Sequence, residues 1–449
     1  MKQLKYLLIS VLAANVLAGC NTNNDDNVIV PLVVRADQTV NIIAFNDFHG
    51  NLEPPMLSIK APNPSDSTQD VFVPAGGVSY MADAINKLRA KNTNNAVVTA
   101  GDLIGASPLI SSLFLDEPTI DIMSQIKIDF SAVGNHEFDR GTKELRRLQN
   151  GGCEKNTVTQ PCQINKNFSG AKFNFLAANV EQKSDGKPIF ASYKIKSFGG
   201  IPVAFIGMTL ENTPSIVAAS GITDVTFKDE ADTVNALIPE LKKQGVQTFV
   251  VLLHEGAAPS TQFNKKSCDG LNGSILEILN RLDSSVDVVV SGHTHQSYLC
   301  DYGTVNSAKP FLLTSAGQYG TILTNITLNL DGKTGKVLKK DARQVIVQGE
   351  EFSRTSAGVT RVTALTNLYE KFVKNDAVEA IVKQYREAVE TVSSRVVGKL
   401  TASMTRTQVE SKESTLGNTI ADSQLEASKG NGAQFALMNP GGVRADLNA

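Results

Sequence analysis

The chain has 449 residues, 41% of them apolar and 20% charged, with a formal net charge of -2. That length suffices for two or three domains with cores of their own. The balanced charge excludes the basic excess that nucleic-acid polymers call for in a partner, while leaving small anionic ligands open.

Lys2 and Lys5 precede an apolar run from Tyr6 to Ala18, which is too short to span a membrane and is built like a signal-peptide core. Leu17-Ala18-Gly19-Cys20 resembles a bacterial lipobox. Residues 1–19 are therefore expected to be a lipoprotein signal peptide, Cys20 the lipidated first residue of the mature protein, and 20–38 a polar tether. The plainer alternative is an ordinary signal peptide with an incidental cysteine. Both predict an exported protein, periplasmic or on the cell surface. With the anchor, Asn21 after Cys20 favours the outer membrane.

Short, nearly continuous apolar runs follow, each halted by a polar cluster. Thr39–Phe45 precedes Asn46-Asp47-Phe48-His49-Gly50, Ala96–Ala100 precedes Gly101-Asp102, and Phe130–Val133 precedes Gly134-Asn135-His136-Glu137-Phe138-Asp139. Farther on, Phe249–Leu253 precedes His254-Glu255, and Val286–Ser291 precedes Gly292-His293-Thr294-His295. Such runs read as strands buried on both faces. Amphipathic helical stretches lie between them, at Met81–Lys91, Ala231–Gln244 and Ser274–Leu282. The plan is α/β, and ligand groups in such sheets gather at the carboxyl ends of the strands.

Thr321–Leu330 and Val345–Val347 continue as strands, with a turn at Asp331-Gly332. Apolar spacing from Ala357 to Val397 predicts helix, carried by Leu365, Leu368, Phe372, Val373, Val378, Ile381, Val382 and Tyr385. The segment 397–449 holds one predicted helix (Leu416–Ala427) and one predicted strand (Gln434–Asn439), too little for a sizeable core, and reads as an incomplete domain. Cys153, Cys162, Cys268 and Cys300 make an even set for an oxidising compartment. Of three possible pairings, Cys153–Cys162 and Cys268–Cys300 are favoured: the first closes a polar loop, the second brackets a helix and a strand.

The protein has only five histidines, and His49, His136, His254, His293 and His295 all fall in strand-end clusters. Asp47, Asp102 and Asn135 join them. In Asp-x-His and His-x-His, alternate side chains of an extended segment face the same side, so both can reach one metal. A central carboxylate can bridge two ions, and such a pair polarises a phosphoryl oxygen and supplies a hydroxide nucleophile at neutral pH. Nitrogen and oxygen donors without thiolate suit Zn2+ or Mn2+.

This ordered set, Asp-x-His, Gly-Asp, Gly-Asn-His-Glu, His and Gly-His-x-His, resembles the calcineurin-like metallophosphoesterases. Ala178-Asn179-Val180, Ile206-Gly207-Met208-Thr209, Glu413-Ser414-Thr415-Leu416-Gly417-Asn418 and Asn439-Pro440-Gly441-Gly442-Val443-Arg444 look like the bacterial 5'-nucleotidase branch, with its UDP-sugar hydrolases and 2',3'-cyclic phosphodiesterases. The resemblance implies a four-layer αββα catalytic sandwich over 39–350, a helical linker over 351–396 and a substrate-binding α/β domain from 397. It implies one ion on Asp47, His49, Asp102 and His295, and a second on Asp102, Asn135, His254 and His293. His136 would face the phosphate, stabilise its developing charge and protonate the leaving alkoxide. Asp139 would hold that imidazole cationic, although a carboxylate there also suits a helix N-terminus. Arg444, Gly442 and Arg406 would touch substrate, Gly442 by allowing close backbone approach.

The implied activity is two-metal hydrolysis of nucleotide phosphate esters by a monomeric, membrane-anchored enzyme. The alternatives are a broad phosphomonoesterase, phosphodiesterase or thiosulfohydrolase-like enzyme on the same scaffold, and a catalytically weak, nucleotide-binding surface lipoprotein.

Overall fold

The computed structural model describes residues 35–259, 261–356 and 359–448. The expected signal peptide, Cys20 and most of the expected tether lie outside the described residues. No helix among those described is long and apolar enough to cross a membrane.

Two six-stranded sheets stack face to face. In the first, Gln38–Phe45, Asn95–Thr99, Phe130–Ala132 and Asn174–Leu176 run parallel. Ile322–Leu330 and Val337–Ile346 complete it as an antiparallel pair beside Gln38–Phe45. In the second, Ile201–Met208, Thr248–Leu253, Val286–Ser291 and Leu312–Ala316 are parallel. Antiparallel edges at Tyr193–Phe198 and Ser297–Asp301 close it.

Side chains alternate along a strand. Val40, Ile42 and Ala44 therefore point between the sheets, where they meet Val250, Leu252, Val288 and Val290. Ile43 and Phe45 point the other way, onto the helices Val78–Ala90 and Glu117–Ile126. On the far side Val251, Leu253 and Val289 pack on Glu230–Lys243 and Ile275–Arg281. Burial on both faces is why these strands are continuously apolar, and the result is the expected αββα sandwich.

Both favoured disulfides are present, Cys153–Cys162 and Cys268–Cys300. The first closes its loop over a buried charge network: Arg147 bonds Glu117 and Glu144, and the Cys162 N–H donates to Glu117.

The predicted helix over 357–397 is corrected. Helix occupies only Asp376–Ser393, capped where Asn375 accepts from the Val378 N–H. Upstream, Phe352–Ser356 pairs antiparallel with Val359–Thr363. The β-branched Val359, Val362 and Thr363 favour that hairpin. Leu365, Leu368 and Phe372 lie on irregular chain, where their apparent helical spacing has no helix behind it. The true helix seats Val378, Val382, Tyr385 and Val389 on the αββα sandwich, joining its core.

The expected strand Gln434–Asn439 is also absent. Phe435 and Leu437 there are 76% and 83% exposed, and the described residues offer no neighbouring strand to satisfy its backbone groups. The helix Thr415–Ser428 is formed, capped by Ser414. Paired backbone bonds between Met404 and Leu447 tie the end of this segment back on its start.

Candidate metal centre

At the carboxyl ends of the parallel strands the chain turns sharply, and five of the residues singled out from sequence adopt left-handed backbone. They are Asp47 (φ 48°), His49 (47°), Asp102 (49°), His293 (69°) and His295 (59°). Each such conformation costs a non-glycine residue about 1–2 kcal/mol, and strain of this kind persists where surrounding structure over-determines it. Here it aims all five side chains at one point. Two neighbouring glycines make room: a Cβ on Gly134 would strike Asp102 Oδ1, and one on Gly101 would lie 2.6 Å from His254 Nδ1.

Two donor groups share Asp102. In the first, His295 Nε2 lies 3.5 Å from Asp47 Oδ1, and His49 Nε2 lies 3.1 Å from His295 Nε2 and 3.6 Å from Asp102 Oδ2. In the second, His254 Nε2 is 3.1 Å from Asp102 Oδ2, and Asn135 Oδ1 is 3.0 Å from both His254 Nε2 and His293 Nδ1. Asp47, His49 and His295 form one cluster close enough to hold an ion, and Asp102, His254 and His293 another.

The donor chemistry fits cations. His49 Nδ1 is bonded to the Gly105 carbonyl and His254 Nδ1 to the Ala100 carbonyl, so each ring, when neutral, carries its lone pair on Nε2. Those lone pairs then face other acceptors: an imidazole nitrogen, carboxylate oxygens and an amide oxygen. Burial pushes His49 down to about 3, and burial with the nearby Arg444 pushes His295 down to about 4, leaving both rings neutral. Burial raises Asp47 to about 7. Burial also opposes a charge on His254, but Asp102 and then Asp47 outweigh it and carry that imidazole up to about 10. The negative charge of Asp102 and Asp47 is met in the pocket by a proton on His254, and a cation among the donors would meet it in the same way.

His136 opens a short turn after Asn135. Its Nδ1 is 2.8 Å from Asp139 Oδ2, and its Nε2 is 3.3 Å from Arg444 Nη2. Burial works against its charge, but Asp102 and then Asp139 prevail and raise its pKa. Arg444 thus crosses 308 residues of sequence to the site. The other two expected substrate contacts stand behind it. Arg406 holds the Arg444 carbonyl through Nη1 at 3.1 Å, and Gly442 sits exposed in the turn Pro440–Gly442.

Three residues escaped the sequence reading. Glu137, 2% exposed, accepts the N–H groups of Asp102, Leu103, Ile104 and Gly134. Asn46 donates to Asp47 Oδ2 at 2.7 Å and bonds Ala316 and Gly317. The Tyr319 ring stands edge-on to His49 and His295. Asn46 and Glu137 stand within the strand-end clusters quoted from the sequence, but their spacing assigned them no role.

Comparison with known proteins gives the family and the fold. The family described as calcineurin-like phosphoesterase matches residues 40–297, and the 5'-nucleotidase C-terminal domain matches 396–449. An uncharacterized protein of Acinetobacter calcoaceticus, from the pqq-V 5' region, is 68% identical over 191 residues, 42% of this chain and 93% of that protein. Endonuclease YhcR of Bacillus subtilis is 32% identical over 407 residues, which are 90% of this chain but 29% of that much longer protein. A 5'-nucleotidase precursor from Thermus thermophilus shares the fold with a TM-score of 0.63 and 22% identity, over 92% of this chain and 71% of its own.

Proposed function

Because this chain belongs to the calcineurin-like phosphoesterases, and is therefore a metal-dependent phosphoester hydrolase, we propose that it releases phosphate from nucleotides using two divalent ions. The observation that carries this reading is the chain of close contacts among donor atoms of six strand-end residues, two of which, His49 Nε2 and His254 Nε2, lie 3.6 and 3.1 Å from Asp102 Oδ2. Asp47, His49, Asp102 and His295 would hold one ion, and Asp102, Asn135, His254 and His293 the other. When bound, such ions polarise a phosphoryl oxygen and lower the pKa of water.

The chain's own groups do the rest. Arg444 and His136 present positive charge to the phosphoryl oxygens. Asp139 accepts from Nδ1 and fixes the ring, which leaves Nε2, beside Arg444, as the atom that would pass a proton to the leaving oxygen. The match of 396–449 to the nucleotidase C-terminal domain supports nucleotides as the substrate class. A broader phosphodiesterase activity is the second reading, favoured by the similarity to a protein named as an endonuclease.

The test is phosphate release from AMP and p-nitrophenyl phosphate before and after EDTA. At least about a tenfold loss on chelation, restored by Mn2+ or Zn2+, is expected, with AMP the better substrate. Absence of metal-dependent release from either would sink the reading.

We also propose that the protein is exported and lipid-anchored through Cys20, a compartment that the two disulfides suit. Cys20→Ala should move the protein from the membrane to the soluble fraction, and an unchanged distribution would contradict the anchor.

A further inference from the structure

A cleft of about 360 Å3 adjoins the metal centre and shares His293 as a wall. That volume lies within the span of small-molecule sites, about 300–1,000 Å3. Neither His136 nor Arg444 lines it, so it is distinct from the space beside the groups assigned to the leaving oxygen. Two large aliphatic residues line it, Leu210, which is buried, and Ile216, which stands 45% exposed at the end of a short turn, and they face the polar Glu255, Ser274 and Thr294. The side chain of Asn212 joins the rim.

The charge pattern says what could enter. Among the lining residues there is no lysine or arginine, and the one carboxylate, Glu255, is already satisfied by Ser274 Oγ and the Gly256 N–H, each at 2.8 Å. A second phosphate would find no cation here. A neutral, flat group of nucleoside or aryl size would find apolar walls and an amide.

A phosphate monoester has one organic arm, which the geometry above directs to His136. A diester has two, and the second needs space on another side of the phosphorus. We propose that this cleft is the subsite for the second, non-leaving arm of a phosphodiester, selecting neutral planar groups through Leu210, Ile216 and Asn212. The proposal rests on the phosphohydrolase reading. In the reaction, the oxygen of water bonds to phosphorus and the bond from phosphorus to the leaving oxygen breaks. One proton of that water ends on the leaving alcohol and the other on the phosphate, and the product is a monoester that keeps the arm in the cleft.

The experiment compares kcat/KM for phenyl p-nitrophenyl phosphate and methyl p-nitrophenyl phosphate in the full-length, metal-loaded protein. Each ratio is taken within one preparation, so differences in folding or metal content cancel. A preference for phenyl of about tenfold is expected, the scale of a filled apolar contact. Ile216→Trp, which fills the cleft, and Ile216→Asp, which makes it polar, should each bring the ratio close to one. A ratio near one in the unaltered protein overturns the subsite, as does a preference that survives both substitutions. So does turnover of p-nitrophenyl phosphate with neither diester cleaved, which leaves the phosphohydrolase reading standing. No turnover of any of the three esters overturns both.

Discussion

His136→Ala is expected to lower kcat by about 10²–10⁴, the range of a lost acid–base group, while bound metal stays constant. The metal readout matters because His136 also lies within ion-holding distance of His49 and Asp102. The ring itself argues against ligation. Nδ1 is engaged by Asp139, and Nε2 points at the Arg444 guanidinium 3.3 Å away, where a second fixed cation would be repelled. A group that faces substrate should show a further signature. Loss of a proton donor hurts an alkoxide leaving group more than the weakly basic p-nitrophenolate, so the decrease should be larger on AMP than on p-nitrophenyl phosphate. Equal losses on both would assign His136 to charge stabilisation alone. Metal content that falls with activity would make it a ligand and refute the assignment.

The sequence was most legible where burial and chemistry change abruptly. Gln38–Phe45 and Val286–Ser291 are apolar on both faces because sheet packs on one side and helix on the other, and they stop where Asp47 and His293 begin. Periodicity failed where irregular chain imitated it. Leu365, Leu368 and Phe372 keep helical spacing, yet the hairpin ending at Thr363 and the cap at Asn375 leave them in a loop. The predicted strand Gln434–Asn439 failed for the opposite reason: its pattern is right, but a strand requires a partner that sequence spacing cannot supply. Arg444 came from resemblance alone, because only the folded chain brings it to His136. Glu137 was invisible in its role because everything it binds is backbone N–H, and every residue but proline carries one.

That hidden role makes Glu137 the strongest candidate for a purely structural lesion at the site. Its two oxygens gather the N–H groups of Asp102, Leu103 and Ile104 on one turn and of Gly134 on the next, at 2.6–3.3 Å. It thereby fixes the backbone of the central carboxylate against the turn that carries Asn135 and His136. Burial, and then the negative charge of Asp102, push its own pKa up to about 8, so positive charge among the neighbouring donors also steadies this carboxylate. Glu137→Ala would leave four buried donors unbonded, each costing on the order of 1–3 kcal/mol before relaxation. Partial collapse recovers some of that, and a net loss of about 3–5 kcal/mol is expected from several buried donors left unpaired. Metal affinity should fall about 10–100-fold, the usual scale for a group that orients ligands without touching the ion. Glu137→Gln separates the two effects. It keeps one acceptor oxygen and the side-chain volume but turns an NH2 toward N–H groups, so it should fold better than the alanine variant yet still bind metal weakly. Denaturant midpoints with and without metal, beside a metal titration, measure both. If the alanine variant matched the parent in stability and affinity, the four N–H groups would have other partners and the brace would be refuted.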